Sequence, residues 1–447
     1  MNAFPRRLPA VFAVLPVFAL AVLTAAGCTF TERKDPPLAG ERLSVLVYDT
    51  GIRADPSLAS VPVAVAPPTV NQAWPQGGGI ASHAFYHLAL GAAPRRIFRT
   101  SAGEGASEEQ RLLAQPVVDS KGRVFVLDVE AQITAIDSNT GRRLWKRSLR
   151  GDEDSDGTLG GGLAVVGGRV FVTTGFAQVI ALEAASGKML WRRNVSAPFR
   201  SAPTVADGRV FAVSTDNHSH ALDATTGAVI WTHRGASELT SLLGGAAPAY
   251  DSGVVVVAYS TGELFGLRAT NGNELWSDYL ARAGRASNVA QIADIRASPV
   301  IDRGRVLAIS NSGRMVALNL ANGLRIWEKR LGSIQTPWTA GDFIYVVTTD
   351  SLLLCISRAD GRIRWARSVP RYEDPKKQED MITWSGPVLA GDRLILVGSN
   401  RDVISVSPYT GDLLGKIRLP DPASLPPVVA RNTLFIFTDD AELIAWR

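Results

Sequence analysis

A unit repeated along most of the chain restricts its fold more than any other feature. Ile133 to Trp145 reads ITAIDSNTGRRLW, Val179 to Trp191 reads VIALEAASGKMLW, and His220 to Trp231 reads HALDATTGAVIW. Further copies are LFGLRATNGNELW (Leu264 to Trp276), MVALNLANGLRIW (Met315 to Trp327) and LLCISRADGRIRW (Leu353 to Trp365). A seventh, VISVSPYTGDLLG from Val403 to Gly415, has lost the Trp. From Gly141 to Gly411 the turn glycines recur on average every 45 residues. That is the length of a four-stranded propeller blade, not of a helical pair. Between copies lie β-branched apolar segments with turn signals, such as the stretch from Pro203 to Val213, so each unit reads as four strands joined by turns.

The chemistry of the unit is structural. A polar residue and then Gly suit a tight hairpin in which Gly supplies positive φ. The Trp four residues on can wedge between neighbouring blades while its N–H finds a carbonyl. Six of the ten Trp hold this position. Seven units are complete, and an eighth (Thr433 to Thr438, Glu442 to Trp446) stops before its outer strand. An open edge would expose unpaired backbone groups. Arg95-Arg96-Ile97-Phe98-Arg99 matches Arg142 to Lys146, with Phe98 one repeat (47 residues) before Trp145. The expected fold is therefore all-β, an eight-bladed propeller of four-stranded blades closed by an N-terminal strand.

The N-terminus has a different character. Arg6-Arg7 precede an apolar run from Leu8 to Ala26, and Ala25-Ala26-Gly27 stand directly before Cys28. A charged start, an apolar stretch and small residues at the cut form an export signal. A Cys just after the cut resembles bacterial lipoprotein signals, which implies acylation at Cys28. A transmembrane anchor or an ordinary signal is the alternative, although Pro9 and Pro16 interrupt a run of marginal length. The expected organisation is a signal peptide over 1–27, an acylated Cys with a Pro- and Ala-rich tether over 28–76, and the propeller over 77–447. One short strand, Leu43 to Tyr48, is expected within the tether. The net charge of +5 falls to about +3 without Arg6 and Arg7, and no basic stripe interleaved with aromatics suggests nucleic acid.

The A-[IL]-[DEN]-x-x-x-G-x-x-x-W pattern resembles the PQQ-like, or quinoprotein-type, propeller family. One branch holds quinone-dependent dehydrogenases; the other holds BamB-type lipoprotein factors of outer-membrane β-barrel assembly. The lipoprotein signal, Trp74-Pro75-Gln76-Gly77-Gly78-Gly79 before the propeller, and the pair Gly161-Gly162-Leu163 and Gly168-Arg169-Val170 resemble the second branch. The length of the tether resembles α-proteobacterial members. This resemblance implies a non-catalytic scaffold with no cofactor, anchored at the periplasmic face of the outer membrane. It also implies binding to POTRA domains of the central barrel-assembly subunit, with unfolded outer-membrane proteins as further partners. Carried over by position, the partner contacts fall on Leu242 and Leu243 in one inter-blade connection and on Asp294 and Arg296 in the next. The family often has Arg at the position of Leu243, and Arg296 replaces a second acid. Leu242-Leu243 would be an exposed apolar pair, with Asp294 and Arg296 as a charged rim. Alternatively, the leucines begin a buried strand and the two charges pair with each other.

Other clusters carry weaker signals. Asp152 to Gly157 begins like a calcium loop, but Leu163 stands where the bidentate Glu belongs. His218 and His220 share a strand face near Asp216 without a third strong ligand. His83 and His87 read as packing or hydrogen-bonding residues, and Cys355 as buried filler. The glycine triplets at 77–79 and 160–162 lack the Lys-Ser/Thr of a phosphate loop, and no G-x-S-x-G elbow is present. A quinone-dependent dehydrogenase remains an alternative, although Cys28 and Cys355 can form neither an adjacent pair nor a C-x-x-C-H haem site. An envelope scaffold with another partner is the other alternative.

Overall fold

In the computed structural model, which describes residues 52–151, 160–237, 242–280 and 294–447, each repeat folds into four antiparallel strands, hydrogen-bonded in sequence order. Blade 1 runs from Val117–Val118 to Arg143–Ser148, blade 2 from Gly161–Val166 to Met189–Asn194, and blade 3 from Thr204–Ala206 to Val229–Arg234. Blades 4, 5 and 6 end on Glu274–Tyr279, Arg325–Lys329 and Ile363–Ser368, and blade 7 runs from Trp384–Ala390 to Leu413–Arg418. A small hairpin, Tyr372–Asp374 with Glu379–Met381, sits between blades 6 and 7. The second and third strands of each blade are almost wholly buried, and the outer strands are largely exposed.

The conserved turn geometry couples one blade to the next. Turn glycines Gly187, Gly227, Gly272, Gly323, Gly361 and Gly411 all have φ near +70°. A Cβ on Gly187 would lie 2.7 Å from the ring of Trp145, the Trp of the preceding blade. The same relation joins Trp191 to Gly227, Trp231 to Gly272, Trp276 to Gly323, Trp327 to Gly361 and Trp365 to Gly411. Thus Gly is required both for its backbone conformation and because the indole occupies the Cβ position. Each indole N–H then donates to a carbonyl of the next blade, as Trp231 Nε1 does to Ala269 O at 2.9 Å. Within its own sheet each Trp lies opposite a small residue at a bulge, from Ala135 opposite Trp145 to Cys355 opposite Trp365. Cys355 thus fills a slot that needs a small side chain, and burial raises its thiol pKa far above the ordinary value.

The eighth blade is completed from the other end of the chain. Arg96–Ser101 pairs antiparallel with Glu442–Trp446, with Phe98 opposite Ala445, in the sheet that also holds Thr433–Phe437 and Val428–Ala430. Phe98 lies on Gly141 as each Trp lies on its glycine. The ring has the expected eight blades and the expected closing strand. Its core is a circle of seams: clusters of buried residues bridge blades 1 and 2, 2 and 3, and onward, while a larger one spans blades 6 to 8 and the start of blade 1.

The segment before the closing strand follows the ring. Asn71 accepts from Arg431 N of blade 8, and Trp74 exchanges backbone bonds with Val118 of blade 1. Pro75 O accepts from Val165 N of blade 2, and Gln76 Oε1 from Val205 N of blade 3. Ala81 O and Ser82 O accept from Tyr250 N of blade 4 and Ile301 N of blade 5. Tyr86 O takes the indole N–H of Trp338 in blade 6, and Leu88 N donates to Leu389 O in blade 7. A lead-in of under twenty residues therefore touches the inner strand of every blade. Part of the segment expected as tether is also docked: Asp55 N donates to Ile363 O, Arg364 Nε to Val61 O, and Leu58 and Val63 are buried. Cys28, the expected strand from Leu43 to Tyr48, and Asp152 to Gly157 lie outside the described residues.

Candidate functional site

Connections from the outer strand of one blade to the inner strand of the next converge around a funnel of about 370 Å³. Its floor includes Trp74, Gly77, Gly78 and His83 of the lead-in, and its wall includes Arg111, Arg200, Leu243 and Arg296. Trp74 stacks on Trp338 with ring centroids 6.2 Å apart. His83 Nδ1 donates to Pro299 O at 2.6 Å, and burial lowers its pKa to about 4, so the ring is neutral at pH 7. The described polar side chains lining it carry guanidinium, amide, imidazole, indole and hydroxyl groups, and Ser424 Oγ donates to Asp439 Oδ2 at 2.8 Å.

Of the four residues expected to meet a partner, Leu243 and Arg296 line this funnel, while Leu242 and Asp294 lie beside them in the same two connections. Leu242 and Leu243 are half-buried and lie in the connection before Ala249–Asp251, not in a strand. Asp294 and Arg296 occupy the next connection, and the two connections are laced by side-chain bonds. Leu242 N donates to Asp294 Oδ2 at 2.7 Å and Ala247 N to Ser298 Oγ at 3.0 Å. Ser298 N donates in turn to Thr336 Oγ1 in the following connection. The expected geometry needs one correction. Asp294 is only 3% exposed and is no rim residue; it turns inward because the Leu242 amide needs a buried acceptor. Neither does it form a close pair with Arg296, whose guanidinium lies over Gly244, with Nε 2.8 Å from where a Cβ would stand. Gly244 has φ +98°, so this approach needs glycine twice over.

Burial dominates the electrostatics. It raises the Asp294 pKa to about 6, opposed by the Leu242 amide and by the charges of Arg296 and Arg200. It also lowers the Arg296 pKa, with Asp294 opposing. Gly244, Ser298 and Arg200 were not apparent from the sequence; the glycine pair directly after the leucines was the available signal. The His218 and His220 pair is otherwise engaged. His218 Nδ1 lies 3.0 Å from Asp216 Oδ2, and His220 Nε2 contacts Ser214 Oγ at 3.2 Å. Among the described residues, no group of three His, Cys, Asp or Glu is placed to hold a metal ion.

The sequence model for the family described as outer membrane protein assembly factor BamB matches residues 63–156 and 129–367. The chain belongs to the BamB family. The BamB of Moranella endobia is 24% identical over 74% of this chain and 84% of its own length. That of Salmonella typhimurium is 29% identical over 67% of this chain and 76% of its own length. The crystal structure of BamB from Moraxella catarrhalis superposes with a TM-score of 0.67 at 17% identity, covering 79% of this chain and all of that one. A quinohemoprotein alcohol dehydrogenase from Comamonas testosteroni superposes with a TM-score of 0.63 at 14% identity, covering 84% of this chain and 80% of that one. These two superpositions show the fold alone, which BamB shares with enzymes of different function.

Proposed function

We propose that this BamB-family protein is a non-catalytic scaffold in outer-membrane protein assembly. It docks POTRA domains of the central barrel-assembly subunit and is held at the periplasmic face by acyl chains on Cys28. Family membership supports the assembly role, since the relatives carry that description. The observation that carries the docking reading is the lacing of Leu242-Leu243 to Asp294. Two half-buried leucines in a connection are held in one conformation by a buried carboxylate, beside a guanidinium set on a glycine. A rigid apolar centre beside a charge is the usual anatomy of a protein interface, and fixing it beforehand reduces the ordering cost of binding.

The test replaces Leu243 with Ser and, separately, Arg296 with Ala, with folding followed by circular dichroism and POTRA binding by calorimetry. Intact folding with binding weakened tenfold or more, about 1.4 kcal/mol, is expected for each. Unchanged binding by both folded variants removes the surface from the docking site.

A further inference from the structure

Seven of the eight seams between blades have an aromatic ring from one blade on a turn glycine of the next, counting Phe98 on Gly141. The seam from blade 7 to blade 8 has neither partner. Gly415 stands where blade 7 should carry its Trp, and a Cβ there would meet nothing within 4 Å. Blade 8 has no turn glycine because its third and fourth strands come from opposite ends of the chain, joined by backbone bonds between Arg95 and Arg447. A groove of about 460 Å³ remains, lined by Ile395, Val403, Leu434 and Trp446 among others. That is within the size range of sites that bind compact ligands.

A second substitution accompanies the loss of the ring. The residue two beyond the repeat Trp also faces the next blade, as Lys329 and Arg367 do against Gly361 and Gly411. In the six Trp-bearing blades this residue is Arg147, Arg193, His233, Asp278, Lys329 and Arg367, a polar or charged residue every time. In blade 7 it is Ile417, which is 44% exposed, near Leu414 at 54%. The seam has therefore lost its wedge and gained an apolar wall, and exposed apolar surface beside a pocket marks a contact site. The charged residues lining the groove are Arg95, Arg393 and Lys416, with no acid among the lining residues. Arg393 holds the lead-in carbonyls of Gly91 and Ala92, and Lys416 pairs with Asp402 at 2.6 Å.

We propose that the groove between blades 7 and 8 is a binding site for an aromatic side chain from a partner protein segment with acidic residues on either side. The partner's ring occupies the place an indole takes in the other seams, and its flanking carboxylates meet Arg95 and the exposed side of Lys416, a cation they share with the buried Asp402. The site lies on seam 7–8, away from the connections of blades 3 to 5, and does not depend on the docking proposed there.

The probe is a nine-residue peptide with one tryptophan between two aspartates on each side, titrated calorimetrically into the full folded chain. Controls are the same peptide with alanine for tryptophan and with lysines for the aspartates. Saturable binding with a Kd below about 1 mM, weakened at least tenfold by either control, is expected. Gly415→Trp should fill the groove and abolish binding while leaving the melting temperature unchanged or higher. Ile417→Lys, which restores the charge found in other blades, is a second variant should the bulky one misfold. Equal binding by the folded variants, no binding by the wild type, or binding independent of the ring or of the acids overturns the proposal. So does a concentration-dependent dimer that Gly415→Trp abolishes, which would make a second copy the occupant.

Discussion

Asp294 separates two roles that position in the sequence alone conflates. A carboxylate at the rim would act by its charge on a partner, whereas this one, buried against the Leu242 amide, acts as a hydrogen-bond acceptor. Asp294→Asn keeps an acceptor and Asp294→Ala removes it. We therefore expect the Asn variant to bind POTRA domains within about threefold of wild type. The Ala variant, which leaves the half-buried Leu242 amide without its acceptor at about 1–3 kcal/mol, should lose at least tenfold. Burial also gives a pH signature. The native pKa of about 6 lies above that of the unfolded chain, so between about pH 4 and 6 the native state holds a proton the unfolded state has released. This group's contribution to stability then falls as pH rises through that window, and the penalty is complete above it, on the order of 2–3 kcal/mol. Urea denaturation should show Asp294→Asn gaining on wild type between pH 4 and pH 7.5. A constant gap would mean that the carboxylate is not desolvated.

At the scale of elements, the closing strand carries the aromatic that its blade would otherwise lack. Phe98 on Gly141 repeats the contact of each Trp, and Ile97 beside it is 39% exposed. Phe98→Ala should cost about 3 kcal/mol, while Ile97→Ala should stay within about 0.5 kcal/mol, both read from urea unfolding midpoints. Equal effects would mean that the eighth blade does not depend on this wedge. Phe98 was legible because it lies one repeat before Trp145, and the blades were legible because each is a short local unit with its own turn chemistry. The path of the lead-in was not. Asn71 to Leu88 has no period, and its partners are mostly single backbone groups spread over eight different blades, far away along the chain. The docking of residues 52–66 on blade 6 was hidden for the same reason: its prolines read as a tether, yet Asp55 and Val61 bond to the outer strand of that blade. At the candidate site, the placement of Leu242, Leu243, Asp294 and Arg296 in neighbouring inter-blade connections was legible from the repeat and the resemblance. The inward turn of Asp294 was not, because it is set by an amide in another connection.

For the whole molecule, the body and its proposed anchor make separate demands on binding. The scaffold contributes a surface already fixed by the ring, so its intrinsic affinity for a POTRA domain should not depend on lipid. The anchor would hold that surface where the partner is. Between Cys28 and Ile52 the chain can reach at most about 80 Å, which would confine the propeller to a thin layer beside the membrane and raise its effective concentration there. Several acyl chains hold a protein to a bilayer in a way that one chain does not. Cys28→Ala should therefore move the protein from the membrane to the soluble fraction. Purified POTRA domains in solution should bind it with an unchanged Kd, while its recovery with the membrane-embedded partner at native expression should fall sharply. If the Cys28→Ala protein still sediments with membranes lacking the barrel-assembly subunit, anchoring does not run through that thiol. If instead its solution affinity drops, the N-terminal region contributes to the interface itself, and the division between anchor and binding surface fails.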